Sequence, residues 1–314
     1  MKILMIGNKE SGKTTYMASA FGVMNDGISG FYIHTDDSTK HWFQRLYKEI
    51  RDGGYPDATD KRGSYQFQLY HNQKEVLDFE WIDYNGGIIT ELSIENLSTD
   101  INESDGMMIF LDSVALLHND ISTHRFRRIL ALISEKLEKT ESHLFSVIIV
   151  LTKYDKIPSD VTFEQVKSPI QGFIDSANKN DKLYIRVVPV SCTKNGFYNV
   201  DLPLLDILDS GLKFSYNITG LEVKYYAKQA QDYAKRIGLL DWGASKLFGL
   251  KTNGELANEC LSKAQERNNL FRSLEKPMEN LSKHVSEYTL IFPNANSSSG
   301  KKRTRQRISE FIDL

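Results

Sequence analysis

The stretch GNKESGKTT, residues 7–15, decides how this chain is read. It follows a short apolar run, KILMI at residues 2–6. It precedes a segment, residues 14–23, in which Tyr16, Met17, Ala20 and Phe21 recur at near-helical spacing. A strand, a glycine turn and a helix are thus expected in that order. Residues 7–14 satisfy the pattern G-x-x-x-x-G-K-[ST] at every fixed position. In such a turn successive backbone N–H groups curl around a phosphate, and the helix that follows adds the positive end of its dipole. Asn8, Lys9, Glu10, Ser11, Gly12, Lys13, Thr14 and Thr15 are therefore expected to line a polyphosphate. Lys13 would neutralise the outer phosphates, the Thr14 hydroxyl would coordinate Mg²⁺, and Gly7 and Gly12 would let the backbone come close. This motif specifies a nucleoside triphosphate and leaves adenine and guanine open.

Composition is consistent with a folded nucleotide-binding protein and excludes several other classes. The 314 residues carry 39 Lys and Arg against 41 Asp and Glu, so a net charge of −2 gives no global attraction for nucleic acid or anionic lipid. Apolar residues at 40% and charged residues at 25% are ordinary for a globular chain. Two cysteines, Cys192 and Cys260, make neither a disulfide framework nor a four-ligand zinc site. No apolar run approaches the length of a membrane span, and the first apolar run is too brief for a signal-peptide core. A cytoplasmic location is the expectation.

Further along, GFYIHT (residues 30–35) suits a short strand. STKHWFQRLYKEIRDGG (residues 38–54) suits a helix with Trp42, Phe43, Leu46, Tyr47 and Ile50 on one face and two glycines as its stop. SYQFQLYHN and EVLDFEWID alternate polar with apolar residues around a polar turn at Asn72, Gln73 and Lys74, which predicts a hairpin. MMIFLD, SVIIVLT and YIRVVPVS are buried-strand runs separated by helix-length segments. Strands that alternate with helices in this way imply right-handed crossovers and a mainly parallel sheet with helices on both faces. Beyond about residue 211 the pattern turns helical, and after Pro293 it becomes polar and basic.

The base is chosen by the loops at the far strand ends, where open α/β sheets place their ligands. Thr152-Lys153-Tyr154-Asp155 comes directly after an apolar strand. A carboxylate there can accept from both the N1–H and the 2-amino group of guanine, whereas adenine offers an acceptor at one position and no amino group at the other. Asp155 is thus expected to read guanine, with the Lys153 stem along the base plane. Ser191, Cys192 and Thr193 follow the last apolar strand and are expected to offer a backbone N–H to the guanine carbonyl. Asp83 in EWIDYNGG lies three residues before Gly86. There a carboxylate can hold a magnesium-bound water while the Gly86 amide reaches the terminal phosphate. Thr59, in the loop YPDAT, could complete the metal shell when a terminal phosphate is present.

Taken in order, GNKESGKT, Thr59, Asp83-Tyr84-Asn85-Gly86, TKYD and SCT resemble the five ordered motifs of the small GTPase-like fold, the translation-factor and Ras-related class. The likeness covers residues 1–211. More narrowly, DYNGG, the YPDAT loop and the long insertion between Phe31 and Gly54 are similar to the bacterial double-GTPase group, proteins often associated with conflict or stress systems. The resemblance implies a Ras-like α/β domain at 1–211 with a mainly parallel six-stranded sheet, GTP or GDP and Mg²⁺ as ligands, and switching between nucleotide states. A helical extension at 212–292 and a basic tail at 293–314 would follow it. Lys13, Thr59 and Gly86 are the residues expected to act on the terminal phosphate. Thr14, Thr59 and Asp83 would serve the metal. One departure bears on mechanism: Gly87 stands where Ras-like enzymes carry the glutamine that orients the attacking water. Glu10, Glu91 or a residue from a partner would have to substitute, and Lys9 offers a built-in positive charge towards the phosphates.

The remainder is less specific. Leu239, Leu240, Trp242, Leu247, Phe248 and Leu250 fall in one short stretch that could face a partner and more readily packs on neighbouring helices. Lys301, Lys302, Arg303, Arg305 and Arg307 could touch a nucleic-acid backbone or an anionic membrane, but most such tails are solvated. His118, His124 and His143 lack metal-ligand spacing. A protein effector or regulator is the expected partner, and a second copy of the chain is one candidate source of the group that Gly87 lacks. An adenine-specific enzyme is the competing class that Asp155 argues against. An Asp155→Asn variant should lose GTP affinity and gain affinity for xanthosine triphosphate, since the amide can donate to the 2-carbonyl of xanthine. Nucleotide competition that leaves the order unchanged would contradict the base assignment.

Overall fold

A computed structural model describes residues 1–56, 62–83, 94–119, 123–139, 144–237, 251–292 and 304–307. Its centre is a seven-stranded sheet made of β1 (Lys2–Gly7), β2 (Phe31–His34), β3 (Gly63–His71), β4 (Lys74–Asp83), β5 (Gly106–Asp112), β6 (Phe145–Thr152) and β7 (Leu183–Pro189). The strand order is β2-β3-β4-β1-β5-β6-β7. Strands β4, β1, β5, β6 and β7 run parallel, while β2, β3 and β4 pair antiparallel. Every residue of β6 is buried, as its unbroken apolar run requires of a strand covered on both faces. The β3–β4 connection is a two-residue turn with both Asn72 (φ 47°) and Gln73 (φ 68°) left-handed, the geometry that matches strand twist.

The described helices are α1 (Lys13–Asn25), α2 (Asp37–Asp52), α3 (Ile94–Glu103), α4 (Ser113–Leu117), α5 (Thr123–Lys139), α6 (Phe163–Lys167), α7 (Gln171–Ala177), α8 (Leu202–Ala234) and α9 (Asn253–Ser286). The sheet exceeds the six strands implied by the family likeness, because β2 adds an edge strand beside β3 and α2 after it packs into the core shared by α1, β3 and β4. Asp36 caps the start of α2 by accepting from the N–H groups of Ser38 and Thr39, and Gly53 ends it at φ 96°. The apolar stripe of α2 then buries Phe43, Leu46 and Ile50. Phe43 stacks on Phe21 at 5.2 Å and lies 5.8 Å from Phe67, which meets Trp81 edge-on at 4.8 Å. Helix α1 is consequently buried on nearly all sides. Gly22 lets α2 come close, since a Cβ there would collide with the Tyr47 ring.

The chain divides into two compact units, one of Met1–Gly211 with Leu281–Leu314 and one of Leu212–Asn280. In the second, Tyr216 stacks on Phe271 at 4.2 Å, Gly220 faces that ring, and Arg267 pairs with Glu222 at 3.3 Å. In the first, Leu281 and Val285 at the end of α9 are buried, and β10 (Thr289–Phe292) pairs antiparallel with β11 (Thr304–Arg307). A short ladder of β8 (Ser191–Thr193) and β9 (Gly196–Tyr198) sits beyond β7. No helix among the described residues is long and apolar enough to cross a membrane. Thr59, Gly86, Gly87, Glu91, His143, the apolar stretch at 239–250 and residues 301–303 lie outside the described residues.

Candidate functional site

The C-terminal ends of β1, β5 and β6 meet at one edge of the sheet, and the 7–15 turn crosses them. Gly7 is required there by space: a Cβ would stand 2.6 Å from Ser11 Oγ and 2.8 Å from the Phe110 carbonyl. Glu10 (φ 64°) and Gly12 (φ 86°) take left-handed conformations that bend the loop into α1. Gly12 is the N-cap of α1 and provides no side-chain cap, so the helix N-terminus presents backbone donors to the loop's concave side. Lys13 is buried at 8% exposure, and its Nζ donates to the Gly7 carbonyl at 3.3 Å. Burial lowers its pKa, with the nearby Asp83 carboxylate at the end of β4 pulling the other way.

Thr152 ties this turn to the sheet. Its hydroxyl lies 2.6 Å from the Ser11 carbonyl and 3.1 Å from that of Leu111, and its side chain lies 3.3 Å from where a Cβ on Gly12 would stand. The next residue, Lys153, is left-handed at φ 55°, and its Nζ meets Asp112 Oδ2 at 2.6 Å. Asp112 also caps α4, accepting from the N–H groups of Val114 and Ala115. Burial alone would raise its pKa, but these donors and the Lys153 ammonium hold the carboxyl below its ordinary range. Asp155, one residue past Tyr154, accepts from the Ser191 hydroxyl at 2.8 Å. The two base-side loops also meet through Tyr154 N–H to the Val190 carbonyl at 3.2 Å. Cys192 is partly exposed, yet its thiol is enclosed by protein, and burial pushes it up to about 12. That removes thiolate chemistry near neutral pH and fits a packing role.

These pieces enclose a cavity of about 310 Å³. It is lined by Lys9, Glu10, Ser11, Gly12, Lys13, Thr14 and Thr15 from the turn, and by Thr152, Lys153, Asp155, Cys192 and Thr193 from the base side. Asn8 and Ser191 stand behind this lining: the Asn8 carbonyl accepts from the Ser11 N–H at 3.1 Å, and Ser191 orients Asp155. Asp83 is buried at 3% exposure and close enough to Lys13 to act on its charge. Tyr55, Pro56, Lys156 and Val190 also line the cavity and were not anticipated. Tyr55 and Pro56 open the YPDAT loop that carries Thr59, and that shared loop is the sequence signal for them. No cluster of three or more His, Cys, Asp or Glu side chains suited to a metal occurs among the described residues, and His118 ends α4.

The glycine turn after β1 and the loop after β6, side by side at one edge of a mostly parallel sheet, are the layout of a P-loop protein with a GTPase-type fold. The chain belongs to the Double-GTPase 2 family, whose model matches residues 3–197. Comparison with curated protein sequences gives no significant match. Among solved structures, the chain is similar to the mammalian SRP receptor, at 13% identity and TM-score 0.39, covering 66% of this chain and 100% of that one. It is also similar to the Arl6 small GTPase of Trypanosoma brucei with a bound nucleotide analogue, at 13% identity and TM-score 0.41, covering 67% and 96%. The Ski7 GTPase-like domain of S. cerevisiae, bound to GDP and inorganic phosphate, matches at 16% identity and TM-score 0.41, covering 61% of this chain and 43% of that one.

Because the Thr152 hydroxyl spans the turn and the sheet, Thr152→Val keeps the shape and removes the donor. Nucleotide affinity should fall about tenfold, the equivalent of one lost hydrogen bond, and Thr152→Ser should restore most of it. Equal affinity in Thr152→Val and the unmodified protein, measured by titration, would show that the brace is dispensable.

Proposed function

We propose that the protein is a guanine-nucleotide switch that binds GTP, hydrolyses it slowly to GDP and phosphate, and changes its loop conformation with the nucleotide to control a protein partner. The observation that carries this reading is the position of Asp155. Its carboxylate, oriented by Ser191, opens into the same cavity as the phosphate turn. The turn itself fits a polyphosphate, because α1 begins at Gly12 without a side-chain cap and its first N–H groups face the loop. The buried ammonium of Lys13, whose proton is weakened by desolvation, gains its counter-charge when phosphate enters.

The residues in this reading divide the work. Backbone donors of residues 8–15 and Lys13 hold the phosphates, and Asp155 with the Ser191–Thr193 backbone holds the base. Thr14, Asp83 and Thr59 would hold Mg²⁺, which when bound would neutralise negative charge on the phosphates. Thr59 and Gly86 would answer to the terminal phosphate, so the loops that carry them would rearrange on hydrolysis. Glutamine is missing where water would be oriented, since the residue after Gly86 is Gly87. This same feature favours a second reading, a scaffold that binds GTP without hydrolysing it.

Phosphoryl transfer depends on positioning and charge, and a supplied arginine finger contributes about 10³–10⁵ in rate. The isolated chain should therefore release phosphate from GTP and Mg²⁺ slowly in a single-turnover assay, and a regulator or second copy should accelerate it. Turnover at about tens per second by the isolated chain would contradict the slow switch, and no release at all would favour the scaffold.

A further inference from the structure

We propose that residues 288–292, which follow α9, form a clamp that sets the grip of the base-side loops on guanine. Asn199 and Phe292 are its positioning residues. The inference rests on the reading of Asp155 and Ser191–Thr193 as the base site.

Those loops leave the main sheet and are held locally by the β8–β9 ladder, the Lys153–Asp112 pair and the Ser191–Asp155 hydrogen bond. Strand β6 ends at Thr152 and β7 at Pro189, so Lys153–Lys156 and Val190–Thr193 lie beyond the seven-stranded sheet. The first is a single 3₁₀ turn entered through left-handed Lys153. β10 reaches the first loop through Phe292 and the chain just ahead of the second through Asn199. Asn199 is left-handed (φ 54°) and 2% exposed. Its amide nitrogen is 2.7 Å from the Pro189 carbonyl and 2.9 Å from that of Ile291, and its amide oxygen accepts from the Ile291 N–H at 2.9 Å. One buried amide thus joins β10 to the chain two residues before Ser191. Phe292, 7% exposed, meets Tyr154 edge-on at 5.8 Å and Phe163 at 5.6 Å, which braces the residue between Lys153 and Asp155. Tyr288 completes the attachment by donating to Asp201 Oδ1 at 2.7 Å.

The phosphate turn has separate anchors in Gly7 and Thr152. Loosening the clamp should therefore act on the base and spare the phosphates. Coupling between sites is reciprocal, so nucleotide must also stabilise the clamp.

Two measurements on the full chain test this. The first is amide hydrogen exchange at 288–292 with and without GDP: saturating GDP should slow it, and identical exchange would overturn the proposal. The second compares GDP, IDP, which lacks the 2-amino group, and inorganic tripolyphosphate. In Asn199→Ala, GDP should dissociate about tenfold faster and its advantage over IDP should shrink, while tripolyphosphate binding holds. Equal losses for all three ligands, or none, would overturn it. If Asn199→Ala fails to fold, Phe292→Leu and the exchange of the unmodified chain decide. An unmodified protein that does not prefer GDP to ADP or IDP would instead defeat the base assignment itself.

Discussion

The arrangement of the site depends on a close backbone approach at one sheet edge. The turn after β1 lies so near β5 that no Cβ fits at Gly7, and the Thr152 hydroxyl from β6 reaches the Ser11 carbonyl. Those contacts fix the curvature of residues 8–15. They also place the end of β6 beside the phosphate turn, which brings Asp155 into the same cavity. A one-residue slip of β6 would reverse the faces of its side chains and separate the two halves of the site.

Around that anchor the base side is built from paired supports. Asp112 serves both the start of α4 and the Lys153 ammonium, so the left-handed turn at Lys153 is held at its side-chain end. Ser191 orients Asp155, and Asn199 links the chain ahead of Ser191 to β10. The net effect is a carboxylate placed by contacts from three parts of the chain. This pre-organisation favours recognition of a ligand by directed hydrogen bonds.

Much of this was legible in the sequence. All seven sheet strands coincide with apolar or alternating runs, and α2 carries both its stripe and its glycine stop. The likeness to the small GTPase-like fold implies six strands, whereas GFYIHT reads as a further strand by its own pattern and forms β2. Twelve of the fourteen residues expected at the nucleotide line the cavity, because a fixed-spacing motif constrains the backbone directly. Lys153 differs in emphasis: its head group meets Asp112, a long-range ion pair that spacing cannot announce. The β8–β9 ladder was too short to give a periodic signal. The return of residues 281–292 to the first unit was hidden because the helical pattern of α9 runs on unbroken across the division between the units.

The central claim is that the amides around Lys13 and the carboxylate of Asp155 act together on one guanine nucleotide. Calorimetric titration of GDP and ADP with Mg²⁺, into the unmodified chain and into Lys13→Ala, addresses it most directly. The account predicts clear preference for the guanosine nucleotide and a marked loss of affinity in Lys13→Ala. Equal binding of the two bases, or affinity untouched by the substitution, would contradict it.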